Sequence, residues 1–92
     1  MEIKREEDGK RGAFYIEQDG ERVAEMTYVR AGESRILVDH TEVSDSLRGT
    51  GAGKKLVVAG VEYVREMGLK LVPVCPFAKA MIDKNPELQD VL

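Results

Sequence analysis

The sequence is poor in the residues that build disulfides, metal centres and membrane spans. Its 92 residues include one cysteine, one histidine and three prolines, and no tryptophan. A single cysteine, Cys75, excludes an internal disulfide and is typical of the reducing cytoplasm, where we expect the protein to reside. Because one cysteine and one histidine do not complete a typical zinc site, we expect no bound metal. No apolar run reaches about 18 residues, which excludes a membrane-spanning helix, and the start shows no signal pattern.

The charge of the chain is slightly negative and unevenly distributed. The formal net charge is −3 at pH 7, which argues against general binding to nucleic acid or to a membrane surface. Residues 1–43 hold seven Lys or Arg and eleven Asp or Glu, whereas residues 44–70 hold five and three. The middle of the chain is therefore locally positive, and it contains the most informative segment, Leu47 to Lys54.

In that segment three glycines stand at alternate positions, Gly49, Gly51 and Gly53, between a strand-like run and a helical run. Glycine leaves backbone N–H groups accessible, and the first N–H groups of a helix have no partner within it. The helix dipole and the side chains of Arg48 and Lys54 add to the attraction for an anion. The segment therefore predicts a phosphate-binding site.

The N-terminal half of the chain predicts an antiparallel meander of four strands. Runs of strand length are separated by the turn signals Asp8-Gly9, Asp19-Gly20 and Ala31-Gly32. Connections this short join neighbouring antiparallel strands. The predicted strands are residues 2–7, 13–17, 22–30 and 34–43.

After the glycines the apolar period becomes that of a helix, for which Gly68 is a natural stop. The apolar run 69–74 follows at once, and it predicts a strand buried on both faces and parallel to the 34–43 strand. A shorter helix is predicted to begin at Cys75-Pro76-Phe77 and to end at Asn85-Pro86, leaving a short tail. The apolar stripe of the first helix comprises Leu56, Gly60, Val64 and Met67.

Together these elements predict an α/β (α+β) fold within a single domain, residues 1–92. The fold is predicted to contain a mixed sheet, made of an antiparallel four-strand meander and one parallel strand, and two helices. The first helix lies between the meander and the parallel strand in the chain, and the short second helix is C-terminal.

The glycine turn does not match the two commonest nucleotide-binding motifs. A Walker A loop needs glycine where Arg48 stands and Ser or Thr where Lys55 stands. A dinucleotide fingerprint that begins at Gly49 meets Lys54 at its last glycine position. What remains is Arg48-x-x-Gly51-x-Gly53 between a strand and a helix.

This pattern resembles the pyrophosphate-binding motif of the GNAT superfamily of acetyl-CoA-dependent N-acetyltransferases. Around it, His40-Thr41-Glu42-Val43, Val74-Cys75-Pro76-Phe77 and Asn85-Pro86 are similar to the minimal, single-domain YjdJ-type branch of that superfamily. The similarity covers roughly residues 35–88, and Ser44 stands where these proteins often have proline.

The resemblance implies a GNAT-like mixed sheet, acetyl-CoA as cosubstrate and an amine as acceptor, either a small molecule or a protein lysine or N-terminus. It also implies that backbone N–H groups of residues 40–44 lie between splayed parallel strands, where one bonds the thioester carbonyl. It leaves the acceptor unspecified, and we expect a monomer or a weak dimer. The implied CoA-binding residues are Val43, Arg48, Gly49, Thr50, Gly51, Ala52, Gly53 and Lys54.

Cys75 is the sharpest candidate for catalysis. A thiol at a helix N-terminus has a lowered pKa and is more nucleophilic at neutral pH. In the resembling branch this cysteine is proposed to act in catalysis, and it either takes the acetyl group or lines the pocket. The alternative is a small buried side chain that serves packing.

His40, the only histidine, lies near the polar end of a predicted central strand. It can take the proton of the amine, activate Cys75, or serve only the structure. By the two-residue period of a strand, His40 and Glu42 share one face, and Asp39 and Thr41 share the other.

Three functions stay open on these observations. The first is an acetyl-CoA-dependent N-acetyltransferase that uses Cys75 and His40. The second is a module or sensor that binds CoA or acetyl-CoA with little catalysis, and the third is an interaction protein whose glycine turn binds another phosphate.

Overall fold

The computed structural model describes residues 1–92 and contains one five-stranded sheet with two helices. The strands lie in the order β1-β2-β3-β4-β5, antiparallel from β1 to β4, with β5 parallel to β4. The predicted fold class is confirmed. The strands are β1 (Lys4–Glu7), β2 (Arg11–Gln18), β3 (Glu21–Ala31), β4 (Arg35–Val43) and β5 (Lys70–Pro73), and the helices are α1 (Ala52–Met67) and α2 (Pro76–Lys84).

Turn residues fix the ends of these elements. Asp19 and Gly20 adopt φ of 53° and 81°, the left-handed conformations that a two-residue hairpin turn between β2 and β3 requires. Gly68 ends α1 with φ of 70°, and its N–H group bonds the carbonyls of Arg65 and Val64. No helix combines the length and the apolar composition that crossing a lipid bilayer requires.

One core lies between the sheet and the helices. Gly60 of α1 allows the helix to approach the sheet closely, because a Cβ there would lie 2.8 Å from Met26 Cε. The close approach packs the helix directly on the central strands. The largest fully buried side chains are Tyr28, Met26, Ile36, Leu56, Leu71 and Ile82.

Three local predictions need correction. Met67 is 56% exposed because α1 ends there, and Leu69, beyond the turn at Gly68, packs against the core instead. The strand predicted for 69–74 is not buried on both faces: it is the edge strand β5, and Val74 beyond it is 54% exposed. The predicted tail forms a 3-10 helix, Pro86–Val91, which buries Leu88 and Val91.

A β-bulge in β4 decides which residues face the helices. Thr27 pairs with His40 whereas Tyr28 pairs with Val38, so Asp39 is one extra residue in β4. After the bulge, Thr41 stands opposite the buried Met26, on the face that α1 covers.

His40 stands opposite Thr27, on the other face, and Glu42 shares that face with it. Asp39 also lies there, since its carboxylate accepts a 2.6 Å bond from the Thr27 hydroxyl. The prediction that Thr41 shares a face with Asp39 is therefore wrong, because the extra residue interrupts the two-residue period.

Candidate active site

The parallel strands β4 and β5 separate at the C-terminal end of β5. They pair only from Arg35 and Lys70 to Val38 and Pro73. The Val38 carbonyl accepts the N–H groups of Val74, at 3.0 Å, and of Cys75, at 2.8 Å. Beyond this point β4 continues to Val43, whereas the other chain segment turns into α2, so a gap opens between them.

Backbone donors of β4 face this gap. The Ser44 N–H group donates to the Val23 carbonyl of β3 at 2.8 Å. Because successive N–H groups of a strand point to opposite sides, those of Thr41 and Val43 point away from β3 and into the gap. The gap therefore offers backbone donors to a carbonyl oxygen.

The glycine turn joins β4 to α1 and presents further donors. A short 3-10 helix, Asp45–Leu47, leads into it, and Gly49 and Gly51 adopt φ of 79° and 80°. Gly51 caps α1 without any side-chain hydrogen bond, and the first N–H group bonded within the helix is that of Lys55, at 3.0 Å from the Gly51 carbonyl. The N–H groups of residues 52–54 have no acceptor in the chain.

These donors border a groove of about 260 Å³ between the turn and α2. Seven of the eight CoA-binding residues predicted from the sequence line it. The exception is Thr50, whose hydroxyl donates to the Leu47 carbonyl at 2.5 Å and closes the turn. The lining residues are Val43, Leu47, Arg48, Gly49, Gly51, Ala52, Gly53, Lys54, Phe77 and Met81.

Besides Leu47, which precedes Arg48 in the chain, two lining residues, Phe77 and Met81, were not among the predicted CoA-binding residues. Both belong to α2, and only the packing of α2 against α1 brings them to the groove. The short spacing between Gly53 and Phe77 is a signal visible only in three dimensions, since a Cβ on Gly53 would lie 2.5 Å from the Phe77 ring.

The charged side chains of the turn lie in solvent. Arg48 Nε is 3.0 Å from Asp45 Oδ1, and both side chains are more than three-quarters exposed, at 79% and 89%. Lys54 is exposed and forms no ion pair. The exposed ion pair between Arg48 and Asp45 is weak, so an arriving anion can compete with Asp45 for the guanidinium group. No three His, Cys, Asp or Glu side chains converge as a metal site would require.

Cys75 stands at the inner end of the gap and caps α2. It is 5% exposed, and its Sγ is 3.4 Å from Thr41 Oγ1. Burial raises the pKa of the thiol, but the Thr41 hydroxyl and the N–H groups of Ala78, Phe77 and Thr41, which stabilise the thiolate, outweigh this effect. The net result is a pKa below the ordinary value of a thiol.

His40 is not brought to Cys75. Its side chain is 60% exposed, and its Nε2 lies 3.5 Å from Glu42 Oε2. It occupies the face of β4 opposite that of Thr41, and no hydrogen bond joins it to Cys75. The geometry therefore pairs Cys75 with Thr41 and leaves His40 on the uncovered face.

Comparisons with known proteins identify the family of the chain. A family model described as GCN5-related N-acetyl-transferase matches residues 13–91. "Protein NATD1" of Xenopus tropicalis is 33% identical over 85 residues, covering 91% of this chain and 78% of that protein.

Two solved structures have a similar fold. A GCN5-like putative N-acetyltransferase from Staphylococcus aureus, solved by NMR, is 41% identical with a TM-score of 0.72, and the match covers 98% of this chain and 85% of that one. A ribosomal-protein-alanine N-acetyltransferase from Brucella melitensis is 23% identical with a TM-score of 0.69, over 84% and 63% of the two chains. At that identity, the second likeness shows the fold alone.

Proposed function

Because the chain belongs to the GCN5-related N-acetyltransferase family, whose acyl donor is acetyl-CoA, we propose that it transfers the acetyl group to an amine acceptor. One observation carries the proposal. The groove that begins at the unpaired N–H groups of the glycine turn reaches Val43 and Phe77, which stand two residues from Thr41 and Cys75. The lining of the groove therefore comes within two residues, along the chain, of the thiol and of the backbone donors.

The glycine turn binds the pyrophosphate of CoA in this proposal. The N–H groups of residues 52–54 and the positive end of the α1 dipole meet the phosphate oxygens. The side chains of Arg48 and Lys54 lie beside them and neutralise part of the charge. The thiol end of the cofactor then extends along Val43 toward the gap between β4 and β5.

Direct transfer needs a deprotonated amine, a donor to the oxyanion and a proton for the departing CoA thiolate. A deprotonated amine forms a bond from its nitrogen to the thioester carbonyl carbon, and the Val43 N–H group donates to the oxyanion. The carbon–sulfur bond then breaks, and CoA leaves as a thiolate that takes up a proton. The proton lost by the amine goes to His40, which is exposed on the uncovered face of β4.

A covalent route through Cys75 is the second path to the same products. The Cys75 thiolate attacks the thioester carbonyl carbon, its bond to carbon forms, and the bond to CoA breaks. The amine then attacks the carbonyl carbon of the acetyl-cysteine, expels the Cys75 thiolate and releases one proton, which balances the proton that the CoA thiolate takes up. Both routes yield one amide and one CoA thiol. We propose that the protein acts as a monomer or a weak dimer.

A CoA-binding module with little catalysis is the alternative function. The specific observation in its favour is that the binding half of the site is open, whereas Cys75 is 5% exposed and His40 lies on the other face of β4. Such a module needs the glycine turn but needs neither side chain to react.

Two measurements distinguish the alternatives. The unfolding temperature is measured with CoA, acetyl-CoA, ATP and NAD, and we expect an increase with the two CoA compounds only. Chromatography then follows acetyl-CoA consumption with a broad panel of amines. Consumption above the rate without protein supports the enzyme, whereas binding without consumption supports the module.

A further inference from the structure

The bulge at Asp39 selects the residue that faces Cys75. Without the extra residue, the two-residue period from Val38 would place His40 on the face covered by the helices. With it, Thr41 occupies that face, and its hydroxyl oxygen lies 3.4 Å from Cys75 Sγ. The side chain next to the sulfur is therefore one that keeps its proton at all ordinary pH values.

One hydrogen bond joins the Cys75 sulfur to the neighbouring strand: its S–H group donates to the Thr41 hydroxyl oxygen at 3.4 Å. The N–H groups of Phe77, Ala78 and Thr41 add to the interactions that lower the pKa of the thiol. They belong to the backbone and are retained under any substitution at residue 41 except proline. The Thr41 hydroxyl is the one hydrogen-bond partner of this sulfur that a change of side chain at residue 41 removes.

We propose that Thr41 is the positioning residue of this site: its hydroxyl holds the Cys75 sulfur at the gap between β4 and β5 and stabilises it as a thiolate. A hydroxyl suits both states of the sulfur, because it accepts from the S–H group of the thiol and donates to the thiolate. The Thr41 hydroxyl contacts the Cys75 sulfur and not the acetyl group, so any effect of Thr41 on acetyl transfer is exerted through Cys75. The consequence for acetyl transfer rests on the proposed function, whereas the effect on the thiol does not.

The hydroxyl serves both halves of the covalent route. Before attack it increases the fraction of thiolate, and no proton transfer from Thr41 is required. After attack the sulfur is part of a thioester, which is a weak acceptor, so the interaction is strongest when Cys75 leaves again as a thiolate. A leaving thiol of lower pKa departs faster, and the same bond therefore favours transfer of the acetyl group onward to the amine.

The test measures the alkylation rate of Cys75 by iodoacetamide as a function of pH in the intact protein. Thr41→Val removes the hydroxyl and keeps the shape, Thr41→Ser keeps the hydroxyl, and Thr27→Val is the matched control. Thr27 lies on the opposite face, where its hydroxyl bonds Asp39. We expect Thr41→Val to lower the alkylation rate at neutral pH about tenfold and to move its midpoint to higher pH, since a bond to a charged group is lost.

Thr41→Ser and Thr27→Val should keep the midpoint of the wild-type protein. An unchanged midpoint in Thr41→Val overturns the proposal, and so does an equal shift in Thr27→Val. If Thr41→Val unfolds, Thr41→Ala gives the same comparison, and the ultraviolet absorbance of the thiolate provides an independent titration. The probe requires no acetyl-CoA, so a failure of the proposed function leaves this result intact and can be recognised separately.

Discussion

Gly53 of α1 lies directly against the aromatic ring of Phe77 of α2, with no room between them for a methyl group. A Cβ on Gly53 would lie 2.5 Å from Phe77 Cζ and 3.0 Å from Phe77 Cε2. Gly53 has ordinary helical geometry, unlike Gly49 and Gly51, whose φ values are positive. The last glycine of the turn therefore serves helix packing, whereas the first two serve the backbone conformation.

The first prediction concerns this packing. Gly53→Ala should lower the free energy of unfolding by about 1–3 kcal/mol, because overpacking forces α1 and α2 apart. Gly53→Ala combined with Phe77→Leu should cost less than the sum of the two single changes. Chemical denaturation of the four proteins provides the cycle, and strictly additive costs would contradict the contact.

The second prediction concerns the backbone conformation of the glycine turn. Gly51→Ala should weaken CoA binding about tenfold, because a side chain is strained at φ of 80° and the N–H groups of the turn lose their alignment. Gly20→Ala is the matched control, since Gly20 has φ of 81° and lies in the β2–β3 hairpin. Calorimetric titration measures both affinities.

Gly20→Ala should lower the free energy of unfolding by about 1 kcal/mol, as Gly51→Ala does, but it should bind CoA like the wild-type protein. Equal loss of affinity in the two variants would mean that stability, and not the glycine turn, controls binding.

The third prediction concerns the pH dependence of stability. Bonds to Glu7 from Arg30, at 2.9 Å, and from the Tyr28 hydroxyl, at 2.7 Å, hold the pKa of Glu7 below its ordinary 4.5. Burial raises the pKa of Tyr28 to about 12, so Tyr28 remains a neutral donor. Because the pKa of Glu7 is depressed on folding, its contribution is complete above pH 4.5 and declines as the pH falls through the folded value.

Glu7→Gln should therefore lower the free energy of unfolding at pH 7 by about 1–2 kcal/mol. The difference from the wild-type protein should shrink as the pH falls below the ordinary carboxyl range. Glu17→Gln is the control, because Glu17 pairs with Lys4 at the surface and should change stability by only a few tenths of a kcal/mol. A gap between Glu7→Gln and wild type that widens toward acid would contradict the assignment.

The fourth prediction separates the two roles open to His40. Since His40 lies on the face of β4 opposite Thr41, His40→Gln should leave the pH profile of Cys75 alkylation unchanged. If His40 is the base that takes the proton of the amine, His40→Gln should lower the rate of acetyl transfer about 100-fold. A full rate with an unaltered pH profile would assign His40 a structural role.

The fifth prediction concerns the covalent route. Mixing the protein with acetyl-CoA in the absence of an amine should add the mass of one acetyl group, measured on the intact chain. The addition should disappear in Cys75→Ala and persist in His40→Gln. If Cys75→Ala instead transfers acetyl to amines at the full rate, transfer is direct and Cys75 lines the pocket.

Local sequence signals predicted the parts of the molecule that local chemistry determines. Asp19-Gly20 marks a hairpin and Gly68 ends a helix, because their φ values are positive and few residues tolerate this. The glycine turn was found for the same reason. The crossover helix predicted that β5 is parallel to β4, whereas the gap between these strands was implied only by the resemblance to the GNAT superfamily.

The remaining features depend on contacts between distant segments. The bulge at Asp39 has no signal in the two-residue period, so Asp39 was wrongly predicted to share a face with Thr41. The 3-10 helix Pro86–Val91 has too few apolar residues to show a period, and its place is fixed by bonds from Arg65 to Asp90. Phe77 reaches the groove only because α2 packs on Gly53.

Transfer of an isotope-labelled acetyl group from acetyl-CoA to an amine panel, with products identified by mass spectrometry, tests the central claim most directly. We predict that at least one amine acquires the label, that CoA is released in equal amount, and that Gly51→Ala lowers both yields together while Gly20→Ala lowers neither. Binding of acetyl-CoA with no labelled amide from any amine would contradict the account and leave a CoA-binding module in its place.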